Sequence, residues 1–382
     1  MVLYTLIILI VTIIWLALLL YARRRQRHVR DLPPMNGAWP SISVIVPAMN
    51  EEETIEPAMR SLLMLDYPDI EIIAVNDRST DRTGEILDRL ATEHPGNLRV
   101  IHVTDLPAGW LGKCNALSVA ARHARGEWIL FTDADVIFEP DALRVAAAFA
   151  TSGRADHIVL FPRMLWGDPV EAALLAFFAM ALTIGFRMWR VESRSLRAFV
   201  GIGAFNMIRR ELYEGFGGHA PLRLEVADDM KLGYLAKKHG GRSMAVLSGG
   251  KVRVRWRMGT IDTIRGLERS GFAGIDFNWP KTISAILLCA VLMLGQYVLL
   301  IIPAAPVVHL LALASILLII VIYATESRSG GFPWWAGILH PVACVLFIYA
   351  FARSAIVTSI RGGLSWRGTF YSIAELRRGT VR

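Results

Sequence analysis

Two aspartates, Asp133 and Asp135, come at the end of the apolar run 128–132. Carboxylates two positions apart can reach one point in space where a strand gives way to a loop. Hard divalent cations take oxygen ligands, and Mg²⁺ often binds one or two carboxylates together with substrate phosphates. The pair therefore predicts a Mg²⁺ or Mn²⁺ site that neutralises a diphosphate leaving group. The alternative is a solvated turn in which one aspartate caps a helix.

Three other polar clusters end apolar runs or open a helix: residues 47–52 (PAMNEE), 76–81 (NDRSTD) and 111–117 (LGKCNAL). Within them, Asp77 could accept a hydrogen bond from a nucleobase imide, and Lys113 could contact a base or a phosphate. The alternatives are a turn carboxylate and a surface lysine. All four clusters fall where a predicted strand ends or a helix begins. This shared placement favours one common nucleotide site over four unrelated turns.

Two adjacent acids, Asp228 and Asp229, open a segment with helical character. One carboxylate is enough to cap a helix and complement its dipole. A second is free to act as a general base toward an incoming hydroxyl. Asp229 is the preferred candidate for this base, and Asp228 is its competitor.

Short β-branched runs alternate with helical segments from residue 41 onward. The runs are 42–46, 70–75, 98–103 and 128–132. Strands that alternate with helices indicate an α/β fold with a mostly parallel sheet and helices on both faces. Ligands of such sheets bind at the carboxyl ends of the strands, which is where the polar clusters fall.

The composition indicates a soluble domain combined with membrane helices. The chain is 54% hydrophobic and 19% charged, with a mean hydropathy of +0.43. Residues 2–22 are an apolar run long enough to span a bilayer, and arginines follow it rather than precede it. This pattern predicts an uncleaved anchor whose arginine-rich end is cytoplasmic.

Further apolar segments follow at 282–303, 305–325 and 334–357, and the run 170–189 is favoured as a helix in the membrane interface. Three later crossings would put the arginine-rich tail outside, against the positive-inside rule. Either the segment 334–357 crosses incompletely, or the rule is overridden. The expected organisation is an anchor at 1–22, a basic and Pro/Gly-rich linker at 23–40, a cytosolic domain at 41–275, transmembrane helices at 282–357 and a basic tail at 358–382.

The net charge of +8 is concentrated beside the first apolar run and in the C-terminal tail. This placement suits anionic lipid headgroups. A nucleic-acid partner would call for a basic stripe on a folded domain, which the sequence lacks, so none is expected. The three cysteines form no CxxC pair, so neither a disulfide framework nor a zinc site is indicated.

The motifs VIVPAMNEE, VNDRSTD, LGKCNAL, TDAD and ADDMKLG occur in this order. Together they resemble the family-2 inverting glycosyltransferases, which have the Rossmann-like GT-A fold, over residues 41–275. The overall plan is similar to that of lipid-modifying members such as ceramide glucosyltransferases. Residues 106–113 (LPAGWLGK) especially resemble the hopene-associated glycosyltransferases.

The resemblance implies a nucleotide-sugar donor and a divalent cation as cofactor. UDP-sugars are the usual donors of this family. By position, Asp77 matches the base-recognising aspartate, Asp135 the preferred metal ligand of the DxD pair, and Asp229 the catalytic base. Asp228 replaces the usual glutamate of that motif. The expected nucleotide-sugar-binding residues are Pro47, Asn50, Glu51, Asp77, Lys113 and Asp133.

One departure from the family pattern bears on the product. Processive members and ceramide enzymes carry a (Q/R)xxRW motif after the base, but the corresponding stretch 265–270 (RGLERS) lacks that tryptophan. We therefore expect transfer of a single sugar to a membrane lipid with inversion, by a multi-pass protein of the cell membrane. The alternatives are a polysaccharide synthase and an inactive scaffold or lipid-binding protein. A transporter is disfavoured because the apolar spans carry few charges.

Overall fold

The computed structural model describes residues 1–32 and 38–381. Part of the expected linker, residues 33–37, therefore lies outside the described residues. The chain divides into two compact units. The helical unit consists of Met1–Arg25, Met164–Trp189 and Trp256–Leu364. The α/β unit consists of Gln26–Arg163, Arg190–Arg255 and Ser365–Arg382.

The strands, in chain order, are β1 (Arg27–His28), β2 (Ile42–Ala48), β3 (Ile70–Asp77), β4 (Leu98–Val103), β5 (Trp128–Phe131), β6 (Val136–Phe138), β7 (His157–Phe161), β8 (Arg163–Met164), β9 (Asn206–Arg209), β10 (Ser243–Leu247), β11 (Val252–Val254), β12 (Gly363–Trp366) and β13 (Thr369–Ser372). The four runs that the sequence indicated as strands correspond to β2, β3, β4 and β5.

The helices, in chain order, are α1 (Val2–Arg25), α2 (Ile55–Leu63), α3 (Thr83–Glu93), α4 (Gly112–Ala121), α5 (Ala142–Thr151), α6 (Pro169–Gly185), α7 (Arg210–Gly215), α8 (Asp228–Lys238), α9 (Thr260–Ser270), α10 (Trp279–Leu288), α11 (Gly295–Ile301), α12 (Pro306–Gly330), α13 (His340–Arg361) and α14 (Ile373–Gly379). A π-helical stretch, Cys289–Leu294, joins α10 to α11.

The main sheet of the α/β unit has eight strands in the order β1-β10-β7-β9-β5-β2-β3-β4. The pairs β5–β2, β2–β3 and β3–β4 are parallel, as are β10–β7 and β1–β10. Strand β9 lies between β5 and β7 and is antiparallel to both. The sheet is thus mostly parallel, which confirms the predicted fold class.

The centre of this sheet is an apolar core. All seven residues of β2 are buried, as expected for a strand that is covered on both faces. Ile45, Ile73 and Ile129 on neighbouring strands pack with Leu117 of α4 and Leu235 of α8 in one buried cluster. The core therefore fixes the two helices whose first turns carry candidate functional residues.

The helical unit has its own core, in which α1, α6, α12 and α13 contribute to one buried cluster. Trp15, Phe177, Tyr323 and Ala343 are representative members. Among the described residues, five helices are long and apolar enough to cross a membrane: Val2–Arg25, Pro169–Arg190, Trp279–Ile301, Pro306–Ser327 and Trp334–Arg361. These include the segment around 170–189 for which the sequence favoured an interfacial position.

The last part of the chain belongs to the α/β unit, although the sequence treats it as a separate basic tail. This C-terminal segment, residues 365–382, carries β13 and α14. The turn Arg367–Gly368 connects β12 to β13, and both residues have positive φ, at 47° and 77°.

Candidate active site

The carboxyl ends of β2 and β3 bring two of the polar clusters together. The strands pair in register, with Ala48 opposite Asn76, so the loops that follow them are adjacent. The Asn50 N–H donates to Ser79 Oγ at 3.1 Å, and the Thr80 N–H donates to Asn50 Oδ1 at 2.8 Å. The polar side chains of these loops thus hold one loop against the other. Asn50 acts here as a structural link within the candidate nucleotide site.

Asp77, the last residue of β3, is fully buried and faces two arginines. Arg78 donates to both of its oxygens, with Nε at 2.8 Å from Oδ1 and Nη2 at 3.2 Å from Oδ2. Arg367 Nη1 lies 3.4 Å from Oδ2. A Cβ atom on Gly112 would lie 2.7 Å from Oδ2, so the first turn of α4 approaches this carboxylate closely because residue 112 is glycine.

Lys113, the second residue of α4, is enclosed by acids. Its Nζ lies 2.8 Å from Asp133 Oδ1 and 3.8 Å from Asp228 Oδ1. Burial alone would lower the pKa of Lys113, but the charges of Asp133, Asp228 and Asp229 outweigh it and raise the pKa. The lysine is therefore held in its charged form, and it is a buried ion-pair partner rather than a surface residue.

The DxD aspartates lie in the loop after β5. Burial, together with the negative charges of Asp133 and Glu51, raises the pKa of Asp135 to about 7. Crowded carboxylates of this kind disfavour ionisation of one member unless a cation compensates them. Among the described residues, no group of three or more His, Cys, Asp or Glu side chains is arranged to hold a metal ion.

A divalent cation nevertheless fits the chemistry of Asp133 and Asp135. Both supply hard carboxylate oxygens, and a cation would relieve the repulsion that raises the pKa of Asp135. Magnesium sites of this class use one or two carboxylates and complete their coordination with substrate phosphates and water. Two protein carboxylates are therefore sufficient for such a site.

The acids at the start of α8 have distinct environments. The Gly203 N–H donates to Asp229 Oδ2 at 2.8 Å, and the Met230 N–H donates to Asp229 Oδ1 at 2.7 Å. These bonds fix the orientation of the Asp229 carboxylate. Asp228 is buried and faces Lys113.

Both of these acids have raised pKa values. Burial and the charge of Asp229 together raise the pKa of Asp228 to about 7, against the opposing effect of Lys113. Burial also raises the pKa of Asp229. A carboxylate with a raised pKa is a stronger base than an ordinary one, which suits general-base catalysis near neutral pH.

The glycines of the segment 201–206 make room for the acids. A Cβ on Gly203 would lie 2.1 Å from Asp133 Oδ2, and one on Gly201 would lie 1.7 Å from the backbone oxygen of Asp229. Both glycines therefore have a structural role. In the structure they let the backbone itself approach two candidate catalytic residues.

These contacts bring most of the expected residues to one edge of the sheet. Lys113, Asp133, Asp228 and Asp229 line a single cleft, together with Gly203. Asp77 lies beside Gly112, the residue that precedes Lys113. Pro47 is buried near the end of β2, and Glu51 is close enough to influence Asp135.

Two residues near Asp77 were missed by the sequence reasoning. Arg78 lies within the NDRSTD cluster but was given no role, and Arg367 was assigned to a lipid-facing tail. The adjacency of Arg78 and Asp77 was a usable signal. For Arg367 there was no local signal, since 290 positions separate it from Asp77.

Comparisons with known proteins bear on the family and the fold of this chain. Residues 43–217 match the family described as glycosyl transferase family 2. The 4,4'-diaponeurosporenoate glycosyltransferase of Staphylococcus aureus (strain USA300) is 24% identical over 375 residues, covering 94% of each chain.

Among solved structures, the mannosyltransferase PcManGT from Pyrobaculum calidifontis, in complex with GDP-Man and Mn²⁺, aligns with a TM-score of 0.60 and 20% identity. The alignment covers 94% of this chain and 98% of that one, and it supports a common fold. Residues 43–217 of this chain are thus a family 2 glycosyl transferase domain, and the protein is a glycosyltransferase with the GT-A fold.

Proposed function

We propose that this glycosyltransferase moves a single sugar from a nucleotide-sugar donor to the hydroxyl or phosphate of a membrane lipid, with inversion. The observation that carries the proposal is the cleft in which Lys113, Asp133, Asp228 and Asp229 meet. Five apolar helices support a membrane-bound acceptor, because a soluble acceptor would not require them. The name of the Staphylococcus relative, which specifies 4,4'-diaponeurosporenoate, is consistent with an apolar acceptor.

In the proposed mechanism Asp229 is the general base. Its carboxylate is oriented by the Gly203 and Met230 N–H groups, and each oxygen keeps a second acceptor site for the hydroxyl proton. The acceptor oxygen attacks the anomeric carbon as the bond to the diphosphate breaks on the opposite face, which inverts the configuration. Asp228 is the competing candidate, since its pKa of about 7 also suits this role.

The leaving diphosphate requires positive charge. Lys113 keeps a buried ammonium group at the cleft, where it can contact a phosphate oxygen. A bound Mg²⁺ or Mn²⁺ held by Asp135 and Asp133 would add charge neutralisation for the departing nucleoside diphosphate. Asp77 accepts a hydrogen bond from the base, for which we propose uracil. A guanine base is the alternative, because GDP-Man is the donor in the Pyrobaculum structure.

Strand pairing constrains how the chain crosses a membrane. Strands β7 and β9 flank α6 in sequence and pair in one sheet, so the chain between them crosses the bilayer an even number of times. We therefore propose that Pro169–Arg190 does not span and lies in the interface. The α/β unit is cytosolic in this proposal, because the arginines after α1 follow the positive-inside rule.

The same parity argument applies to the helices before the C-terminal segment. Residues on both sides of these helices belong to the α/β unit, so Trp279–Ile301, Pro306–Ser327 and Trp334–Arg361 include an even number of full crossings. We propose that Trp334–Arg361 is the segment that does not cross completely. The protein remains multi-pass, and its arginine-rich tail is then cytosolic, in agreement with the positive-inside rule.

The decisive test is transfer by the full chain, purified in detergent. UDP- and GDP-sugars, total membrane lipid and either Mg²⁺ or Mn²⁺ are supplied, with and without chelator. We expect a lipid product carrying one sugar, formed only when the metal is available. A product with many sugars would replace the proposal with a polysaccharide synthase. Absence of both donor binding and product with every donor and metal would favour the inactive scaffold.

A further inference from the structure

The C-terminal segment, residues 365–382, is attached at several points to the part of the α/β unit that carries the candidate active site. Tyr371 OH donates to the backbone oxygen of Trp110 at 2.9 Å, just before the first turn of α4. Near the end of the segment, Lys231 Nζ donates to the Val381 oxygen at 2.7 Å. The segment is therefore ordered against α4 and α8, the helices that begin at the site.

These attachments place the guanidinium group of Arg367 beside Asp77. The Arg367 side chain retains only 21% of its exposure and the Arg78 side chain 19%, while Asp77 has none. A buried carboxylate is already satisfied by one bidentate arginine such as Arg78. The second guanidinium exceeds what Asp77 needs, and its charge also acts on Asp228 at the candidate active site. It can therefore donate to a bound anion at this position.

The backbone at Arg367 is also unusual. Arg367 and Gly368 both have positive φ, the pattern of a type I′ turn. The first position of that turn favours Asn, Asp or Gly, because a longer L side chain is strained at positive φ. Strain of this kind is often retained where the side chain is needed for function. The strained backbone position and the second guanidinium at Asp77 thus belong to one residue.

We propose that Arg367 is a donor-binding residue, supplied to the nucleotide site by the C-terminal segment. Its guanidinium binds oxygen atoms of the nucleoside diphosphate. Asp77 holds the guanidinium at the site before the donor arrives. This inference rests on the proposed function, since it requires a nucleotide donor. It gives the C-terminal segment a role in donor recognition rather than in contact with lipid headgroups.

Arg367→Asn is the most informative variant. Asparagine suits positive φ, so the turn is preserved while the cation is removed. Arg367→Lys keeps the positive charge but lacks the planar guanidinium group with its paired N–H donors. Arg378→Asn is the matched control, because Arg378 is an exposed arginine of the same segment and its replacement changes the net charge equally. All variants are made in the full chain and compared by thermal unfolding.

The measurement is the dissociation constant of UDP and of GDP for the detergent-solubilised protein, with Mg²⁺ present. We expect Arg367→Asn to weaken binding of the preferred nucleotide by about tenfold or more, as for loss of a charge-assisted hydrogen bond. Arg367→Lys should give an intermediate value. Arg378→Asn should bind like the wild type, and the unfolding midpoint of Arg367→Asn should not fall.

Other outcomes overturn the inference in recognisable ways. Unchanged affinity in Arg367→Asn would make the contact with Asp77 merely structural. Tighter binding would make the C-terminal segment a plug that the nucleotide must displace. If the wild-type protein binds neither nucleotide, the proposed function itself fails and the inference fails with it. A normal wild-type affinity with no effect of the variant removes the inference alone.

Discussion

The candidate active site is governed at the scale of single residues by the balance between Lys113 and the surrounding acids. Lys113 contacts Asp133 and lies near Asp228, and all three side chains are largely shielded from water or paired with one another. Removing one partner of a buried ion pair costs more than the pair contributes, because the other charge is left uncompensated. Changes at this site therefore affect both folding and chemistry, and each variant needs a stability control.

The two adjacent aspartates can be separated by substitution. We expect Asp229→Asn to lower kcat by about 10²- to 10⁴-fold, the usual contribution of a general base. Asp228→Asn should have a smaller effect, because Asp228 faces Lys113 and is only the competing candidate for the base. The measurement is single-turnover transfer with saturating donor, alongside thermal unfolding of both variants. The reverse order of effects would make Asp228 the base.

The raised pKa values predict a pH dependence. The base acts only when it is ionised, so a raised pKa moves the loss of activity toward neutral pH. Because the pKa of Asp229 is raised, kcat/KM should begin to fall at a higher pH than it would with an ordinary aspartate, whose pKa is about 4. The profile is measured with saturating Mg²⁺ at each pH. Constant kcat/KM down to about pH 5 would contradict the raised pKa values.

At the scale of elements, the site depends on how closely the segment 201–206 packs against the loop after β5 and the start of α8. Strand β9 follows this segment and inserts antiparallel between β5 and β7. The insertion brings Gly203 against Asp133 while its N–H reaches Asp229. One short segment thus connects the candidate metal ligand with the candidate base.

Gly203→Ala tests this packing. A Cβ at 2.1 Å from Asp133 Oδ2 forces one of the two groups to move. Overpacking of this kind costs about 1–3 kcal/mol of the free energy of unfolding. Transfer should fall by about 10²-fold, since small displacements at a reacting site have effects of that size. Activity and the unfolding midpoint are measured together.

Gly215→Ala is the control for that substitution. Gly215 ends α7, and no atom lies within 4 Å of where its Cβ would be. We expect wild-type activity and an unchanged or slightly higher unfolding midpoint, because alanine favours a helix more than glycine does. Equal losses in the two variants would show that the assay responds to any glycine substitution rather than to the contact at Asp133.

At the scale of the whole molecule, the chain leaves the α/β unit twice and returns to it. The first departure contains α6, and the second contains the helices from α9 to α13. Each return imposes an even number of membrane crossings on the intervening segment. This requirement is independent of hydropathy, and it bears on the side of the arginine-rich tail, where hydropathy and the positive-inside rule disagreed.

The topology can be tested with reporters. A fluorescent protein appended after Arg382 should fluoresce in the bacterial cytoplasm, and alkaline phosphatase at the same position should be inactive, because the C-terminal segment is proposed to be cytosolic. Fusions after Arg163 provide the internal reference for the side of the α/β unit. Opposite results for the two fusion sites would contradict the even number of crossings.

The class of fold and most of the candidate site could be predicted from the sequence. Local patterns were sufficient for this, because β-branched runs predict buried strands and the carboxyl ends of parallel strands meet at one edge. Pro47, Asp77, Lys113 and Asp133 were named on that basis. The sequence also identified the apolar segments, since a span is recognised from consecutive residues alone.

Features that depend on distant parts of the chain became apparent only in the folded structure. The antiparallel position of β9, the contact of Gly203 with Asp133 and the approach of Arg367 to Asp77 join residues with no shared local pattern. These contacts depend on packing and charge between groups that are close in space, however far apart they are in the sequence. The same basis determines that the C-terminal segment belongs to the α/β unit, although its composition alone indicated a tail for the membrane surface.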